Sequence, residues 1–294
     1  MTLNEFGGGF YNSDISGTGT LTKIGTGIAF LNNTNNSYSG ETRIQQGTLA
    51  FNGSSTGSKN SGVNISNGAQ LLVNGNNNNT KYLSGNGSAT INGGNLTIGG
   101  GNGKTFSGVI RDGGAGAGSL TKNGSGKQTL AGINTYSGDT KVLDGTLRIS
   151  NTGSINNTAT YTQTGGHTIV DGSLIQNNVD IQAGVLSGSG MIEASTITIG
   201  EQAQVNPGNS PGTLIMMADV DFSGTLQTEI FSRSIHDTLD VDGTVSLSET
   251  SRFDFLFDSN YMAADGDSFS FFTALDFDFG MGADFFDLSD LSHR

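Results

Sequence analysis

Apolar residues in this chain fall in short alternating runs. Residues 118–122 read GSLTK, 127–131 KQTLA, 140–144 TKVLD and 146–150 TLRIS. Each piece carries one or two apolar side chains on alternate positions, Leu147 and Ile149 for instance, with polar partners between them. A period of two is that of a strand with one buried and one wet face. Gly, Asn and Asp separate the pieces every five to eight residues, too tightly for a helix, and no stretch sustains a helical period. The same grammar runs through VNIS (63–66), QLLVN (70–74), ATIN (89–92) and NLTIG (95–99), and on through HTIV, VDIQ and TITIG to Gly200.

One passage occurs twice. Residues 17–51 read GTGTLTKIGTGIAFLNNTNNSYSGETRIQQGTLAF, and residues 116–149 read GAGSLTKNGSGKQTLAGINTYSGDTKVLDGTLRI. They align with one gap. Gly-x-Gly-x-Leu-Thr-Lys-x-Gly-x-Gly, a Leu, Tyr-Ser-Gly-x-Thr and Gly-Thr-Leu stay fixed. Strands this short make no independent core, but they can stack on copies of themselves. A coil of three such strands with corners takes roughly 20 residues, at the low end of solenoid repeats. Coils would then pair about 4.8 Å apart. Residues 17–216 would form about ten coils, a rod on the order of 50 Å. The sequence thus predicts an all-β fold: a parallel β-helix whose fixed residues are corners and core and whose variable residues face water. An antiparallel sandwich or barrel also explains the alternation, though not the recurrence.

Composition changes the picture in two ways. With 47 Gly, 2 Pro and 13% charged residues in 294, the chain suits many turns that accept positive φ and is poor in long helix formers. The net charge of −13 is unevenly placed. Residues 1–218 hold ten acidic and ten basic side chains; residues 219–294 hold 16 and three. This predicts a lead-in at 1–16, a β-helix at 17–218 with repeats at 17–51 and 116–149, and an acidic β-rich cap at 219–294. In the cap, RFDFLFD (252–258) and DFDFG (276–280) alternate Phe with Asp, which puts rings on one face of a strand and carboxylates on the other. Such a sheet would seat its Phe face on the last coil and cover an open edge. Nothing supplies the clustered Lys and Arg that nucleic acid requires. There is no Cys, hence no thiol chemistry. The start, MTLNEFGGGF, does not read as a signal peptide, and no run of 18 apolar residues would span a membrane as a helix.

The repeat at 116–149 resembles the passenger-associated transport repeat of bacterial autotransporters. IQAGVLSGSGMIEASTITIGEQAQVNPGNSPGTLIM, residues 181–216, is similar to the block that often closes such passengers, with Pro207-Gly208-Asn209-Ser210-Pro211-Gly212-Thr213-Leu214 its most specific part. Residues 236–274 are similar to the segment C-terminal to that block in autotransporters and in surface proteins of the PEP-CTERM type. The resemblance implies export through the outer membrane and a right-handed parallel β-helix on the cell surface or outside it. Neither the alternating strands of an outer-membrane barrel nor a PEP-CTERM ending occurs in this sequence, which stops at FFDLSDLSHR. The expectation is a fragment, processed product or diverged relative that relies on a translocator outside this sequence.

Candidate chemistry is sparse. The three histidines are His167, His236 and His293; no G-x-S-x-G elbow accompanies them. A polysaccharide lyase or hydrolase would need paired carboxylates, whereas Glu41, Asp112, Asp139, Asp144, Asp171, Asp180, Glu193 and Glu201 are spread singly. The glycine run 93–108 lacks both P-loop spacing and a following helix, and reads as corners of a coil. Asp240, Asp242 and Glu249 fit positions 3, 5 and 12 of a calcium loop, but position 1 would be Thr238, and the flanks alternate as strands. The simpler expectation there is a hairpin turning at Asp242-Gly243. No catalytic residue and no cofactor is assigned. The function expected is a secreted or cell-surface adhesive rod that binds glycans or matrix or mediates aggregation. The alternatives are a polysaccharide-active enzyme on the same scaffold or a passive stalk for a missing effector.

Overall fold

A computed structural model describes residues 1–54, 56–75, 78–101, 103–264 and 266–279. Among these residues there is no helix. The chain winds into a parallel β-solenoid of about 12 turns. Each turn places its strands one rung above the last: Leu3 lies opposite Lys23, Thr22 opposite Arg43, Arg43 opposite Asn64 and Asn64 opposite Ser84. These steps of 20 or 21 residues match the coil length read from the sequence. With rungs about 4.8 Å apart, the rod is roughly 60 Å long.

Three walls build up as the chain rises. The first begins with strands Thr2–Asn4, Leu21–Ile24 and Thr42–Ile44, and the second with Gly8–Tyr11, Ile28–Leu31 and Thr48–Asn52. The third wall starts only at Asn78–Thr80, followed by Asn95–Ile98, Ser119–Lys122 and Thr140–Val142. Below it, the third side of the first turns is closed by irregular segments that bury Asn36, Tyr38, Thr56, Ser58 and Ser61. Parallel ladders exclude the sandwich. Among the described residues the antiparallel pairing is confined to the small ladder between Thr225–Ser232 and Ile235–His236 and two isolated bridges.

The alternation seen in the sequence is the alternation of burial. One interior stack runs Leu120, Thr140, Tyr161, Val179, Ile197, Val220, Val245, Phe277, each one rung above the last. From Leu120 to Val245 these side chains are at most 1% exposed. A strand buried on one face needs only one apolar side chain in two, which is how a chain with 33% hydrophobic residues fills a core this long.

This stack crosses residue 218 without interruption: Val220 pairs in parallel with Val245, and Val245 with Phe277. What changes there is the outer surface, where Asp219, Asp221, Asp240 and Asp242 point out beside buried Ala218, Val220, Phe222, Leu239 and Val241. The hairpin expected at Asp242-Gly243 does not form. Thr238–Leu247 is one strand, with Leu239 and Val241 inward on one wall and Val245 and Leu247 inward on the next. Gly243 marks the bend between the walls, where an added Cβ would lie 2.1 Å from Ala218 O. The glycine after an aspartate here serves a corner rather than a reversal, because the parallel partner below dictates the direction. Several Phe side chains of this region pack together: Phe272 lies 6.0 Å from Phe222 and 6.0 Å from Phe253, and Phe255 packs edge-on against Phe271 at 4.7 Å, while Phe257 and Phe279 are exposed. Asp254, between Phe253 and Phe255, is exposed.

Candidate functional site: interior clamps and an outer groove

The fixed residues of the repeat converge inside the coil. Lys23 and Lys122 alternate in phase with Leu21 and Leu120, so both point inward and are 0% and 1% exposed. The Lys23 ammonium donates to the carbonyls of Ile24, Gly25 and Gln46 at 2.8, 2.7 and 3.2 Å. Lys122 does the same with Gly99, Gly124 and Asp144, at 3.2, 2.5 and 2.9 Å. Each lysine therefore ties corners of successive turns together. Burial lowers the pKa of both, that of Lys122 to about 8 against a partial upward pull from Asp144. Tyr38 and Tyr136, also fixed, bury their rings and share a hydrogen bond with the Thr four residues on, at 2.8 and 2.6 Å. Burial pushes both phenols up. Gly47 and Gly145 of Gly-Thr-Leu have φ of +65° and +68°, and a Cβ there would meet the carbonyl of Gly27 at 2.4 Å or Gly124 at 2.2 Å. Only Gly accepts both the sign and the space. Sequence reasoning assigns these residues to core and corners but gives the lysine no role. The available signal is its phase: two residues after an inward Leu on a strand is inward again.

Outside, polar ladders line the walls. Asn12, Asn32, Asn52, Asn74 and Asn92 pass hydrogen bonds from rung to rung, at 2.7, 2.8, 3.2 and 3.0 Å. The singly spread carboxylates serve turns and surface contacts. Asp112 accepts from the Gly118 and Ser137 amides, Asp144 from Gly145 N and Asp139 from Thr160 N. Glu41 takes Arg43 and the Tyr82 hydroxyl, and Asp180 takes Gln182. Glu193 and Glu201 are exposed. Gly93, Gly100 and Gly103 sit at positive φ beside strands Asn95–Ile98 and Lys104–Phe106, as corners. Asp240 and Asp242 stand on one outer face of the strand before its bend at Gly243, with Asp240 accepting from the Thr273 hydroxyl at 2.5 Å, and Glu249 lies in the turn beyond the next wall. A strand that spans two walls does not curl around an ion as a calcium loop must. His293 lies outside the described residues. His236 sits edge-on to Phe269, and His167 Nε2 is 2.7 Å from Ser187 Oγ.

His167 borders a groove of about 150 Å³ that sequence reasoning does not anticipate. Ser187, Asn206 and Gln227 form its floor, on three successive rungs of the first wall. Pro207, Gly208 and Ser210, in the most specific block of the sequence, form one rim. Glu229 and Asp237 complete it. Asp237, 3% exposed, receives the Gly212 amide on Oδ1 at 2.9 Å and the Glu229 amide on Oδ2 at 3.2 Å, tying the rim loop to the next strand. Burial raises its pKa against those two amides. Ser210 donates to Glu229 Oε2. Asn206 Nδ2 donates to Gln227 Oε1 at 3.3 Å, while Asn206 Oδ1 is buried and accepts nothing. Asp171 sits beyond the rim, held by Arg148 at 2.6 Å and by Asn209 at 2.7 Å.

Comparison with known proteins agrees with the coil. The family model described as passenger-associated-transport-repeat matches residues 21–51 and 120–149. The chain is 38% identical over 149 residues, 48% of its length, to the adhesin BmaC autotransporter of Brucella suis biovar 1 (strain 1330). It spans about 4% of that protein's length. Together with the parallel solenoid, these matches support an autotransporter passenger built as a β-helix.

Proposed function

We propose that this chain is part of a cell-surface or extracellular adhesive passenger whose rod walls make the contact. The observation that carries this is the similarity to an autotransporter adhesin over half the chain, on a fold with long polar walls. Asn, Thr and Ser ladders along the rod offer weak, repeated hydrogen bonding to glycans or matrix. Many such contacts on one rigid support raise avidity without any one being strong. Export would use an outer-membrane translocator, as the resemblance implies. The acidic Phe-lined end is read as the cap of the rod: its rings fill the last turn, and its carboxylates discourage edge-to-edge stacking. Against a polysaccharide-cleaving enzyme stands the use of the best-placed carboxyl. Both oxygens of Asp237 hold backbone amides, a structural task.

The test is to display residues 1–294 on a non-adherent bacterium and count cells retained on immobilised matrix proteins and on epithelial monolayers. Adherence well above a display-only control is expected, declining gradually as whole turns are deleted. Retention equal to the control on every surface, with the chain displayed and folded, would reject the adhesive reading.

A further inference from the structure

We infer that the groove between His167 and Asp237 is a binding subsite for a neutral saccharide unit; the inference rests on the adhesive reading and assigns it a location. Three features of the groove point there. Its floor is a row of short polar side chains, Ser187, Asn206 and Gln227, spanning about 10 Å over three rungs. Hydroxyls and amides on a rigid sheet suit a ligand that is itself a ring of hydroxyls. The inventory is also open. Asn206 Oδ1 is covered and accepts no hydrogen bond, so it becomes available only when the side-chain amide turns toward the groove, and a ligand hydroxyl that draws it out satisfies an acceptor that is otherwise costly to leave alone. Finally, the rim is built in advance. Asp237 pins the Gly208–Gly212 loop through the Gly212 amide and pins the next strand through Glu229 N, and an added Cβ on Gly208 would lie 2.2 Å from Asp237 Oδ1. Small-ligand sites are usually pre-formed and larger and more apolar than this; a groove of about 150 Å³ with a polar lining suits a single hydroxylated unit.

The charges select among ligands. No Lys or Arg lines the groove. His167 is held toward its neutral form by burial first and by Lys127 second. Glu229 is the remaining carboxylate on the rim, and Asp237 is buried beneath it. Sialylated, uronic or sulfated units would meet the Glu229 carboxylate with no cation lining the groove to pair with, Lys127 lying two rungs below His167, whereas neutral hexose or N-acetylhexosamine units meet donors and acceptors. A bare divalent cation is disfavoured because Asp237 already spends both oxygens on amides.

The experiment uses the purified 294-residue chain. Binding is measured on an array of neutral hexose and N-acetylhexosamine oligosaccharides beside sialylated and sulfated ones, then in solution with the best neutral oligosaccharide. Neutral glycans are expected to bind and anionic ones not. Asn206→Ala and Gln227→Ala should each weaken binding about tenfold, as loss of a hydrogen bond to a desolvated partner does, while Lys141→Ala, exposed on the third wall, leaves it unchanged. Far-UV circular dichroism controls for folding. Independently of any groove variant, the same oligosaccharide should shift the imidazole resonances of His167, assigned with His167→Gln. The inference is overturned if no neutral glycan binds, if anionic glycans bind as well, or if binding survives both substitutions without a His167 shift. In each case the displayed chain can still adhere, which would leave the adhesive reading standing. Conversely, a groove that binds glycan on a chain that mediates no adherence separates the two in the other direction.

Discussion

Replacing Lys122 by Met tests whether the repeat's lysine is a charged clamp or merely filler. Met keeps the length of the chain and removes the ammonium. Three carbonyls, of Gly99, Gly124 and Asp144, lose their donor. A buried acceptor left alone costs about 1–3 kcal/mol, so three give about 3–9 kcal/mol at the outside. Relief of the desolvated ammonium returns several kcal/mol, and about 2 kcal/mol net loss is expected at pH 7. The pH dependence is a second readout, of the burial of the ammonium. The folded pKa is lowered from 10.5 to about 8, so between those values the unfolded chain binds a proton that the folded chain lacks. Stability of the parent therefore rises with pH in that window, by at most about 1.4 kcal/mol per pH unit, less where solvent screens the corner. The Met variant lacks this contribution, and the gap between the two proteins should widen from pH 8 to pH 10. Urea unfolding monitored by circular dichroism gives the gap. Hydrogen exchange over residues 99–145 shows whether the loss is local, as nearest-neighbour coupling in a solenoid requires. A variant as stable as the parent at pH 7, or more stable, would refute the clamp; a gap that stays flat from pH 8 to pH 10 would refute the lowered pKa.

Two further substitutions probe the same turns. Tyr136→Phe keeps the ring and loses the 2.6 Å hydrogen bond to Thr140; a cost of about 1–2 kcal/mol is expected, against about 3–5 kcal/mol for Tyr136→Ala, both read from urea midpoints. Gly138→Ala puts a Cβ 2.5 Å from Gly118 O, and overpacking of about 1–3 kcal/mol should lower the melting temperature; an unchanged melting temperature would mean that the Tyr-Ser-Gly corner has slack.

Much of the fold is legible because one physical rule generates it. Period-two burial with a corner every few residues can be read from Leu147 and Ile149 alone, and the recurrence of whole passages says that the strands stack on one another. What stays hidden depends on which residues the stacking brings together. Asp242-Gly243 looks like a hairpin because the two residues suit one, and only the parallel partner, with Ala218 beneath Gly243, makes it a bend. A boundary at residue 218 is suggested by the change of charge there, yet charge belongs to the outer face and the ladder to the inner one, and the two need not change together. The groove is hidden for a similar reason. His167, Ser187, Asn206 and Gln227 are about 20 residues apart and carry no signal singly; they form a floor only once the register is known.

The register also says what the repeat is for. Starting from Leu21 on the first wall, the ladder climbs through Thr42, Val63 and Leu83 to the strand Lys104–Phe106. The second copy's Leu120 comes two walls later, on the third wall above Leu96. The copies are thus four turns and two walls apart, and equivalent outward residues face different sides of the rod. Arg43 and Lys141 occupy the same place in the repeat, both exposed, on the first and third walls respectively. A repeat that presented a ligand would gain by aligning its copies on one face, where linked contacts add. A repeat that closes a turn gains nothing from alignment, since the lysine, tyrosine and glycine act inward whichever wall carries them. The rotation therefore fits a repeat that holds the coil together, and leaves any recognition to the outer walls.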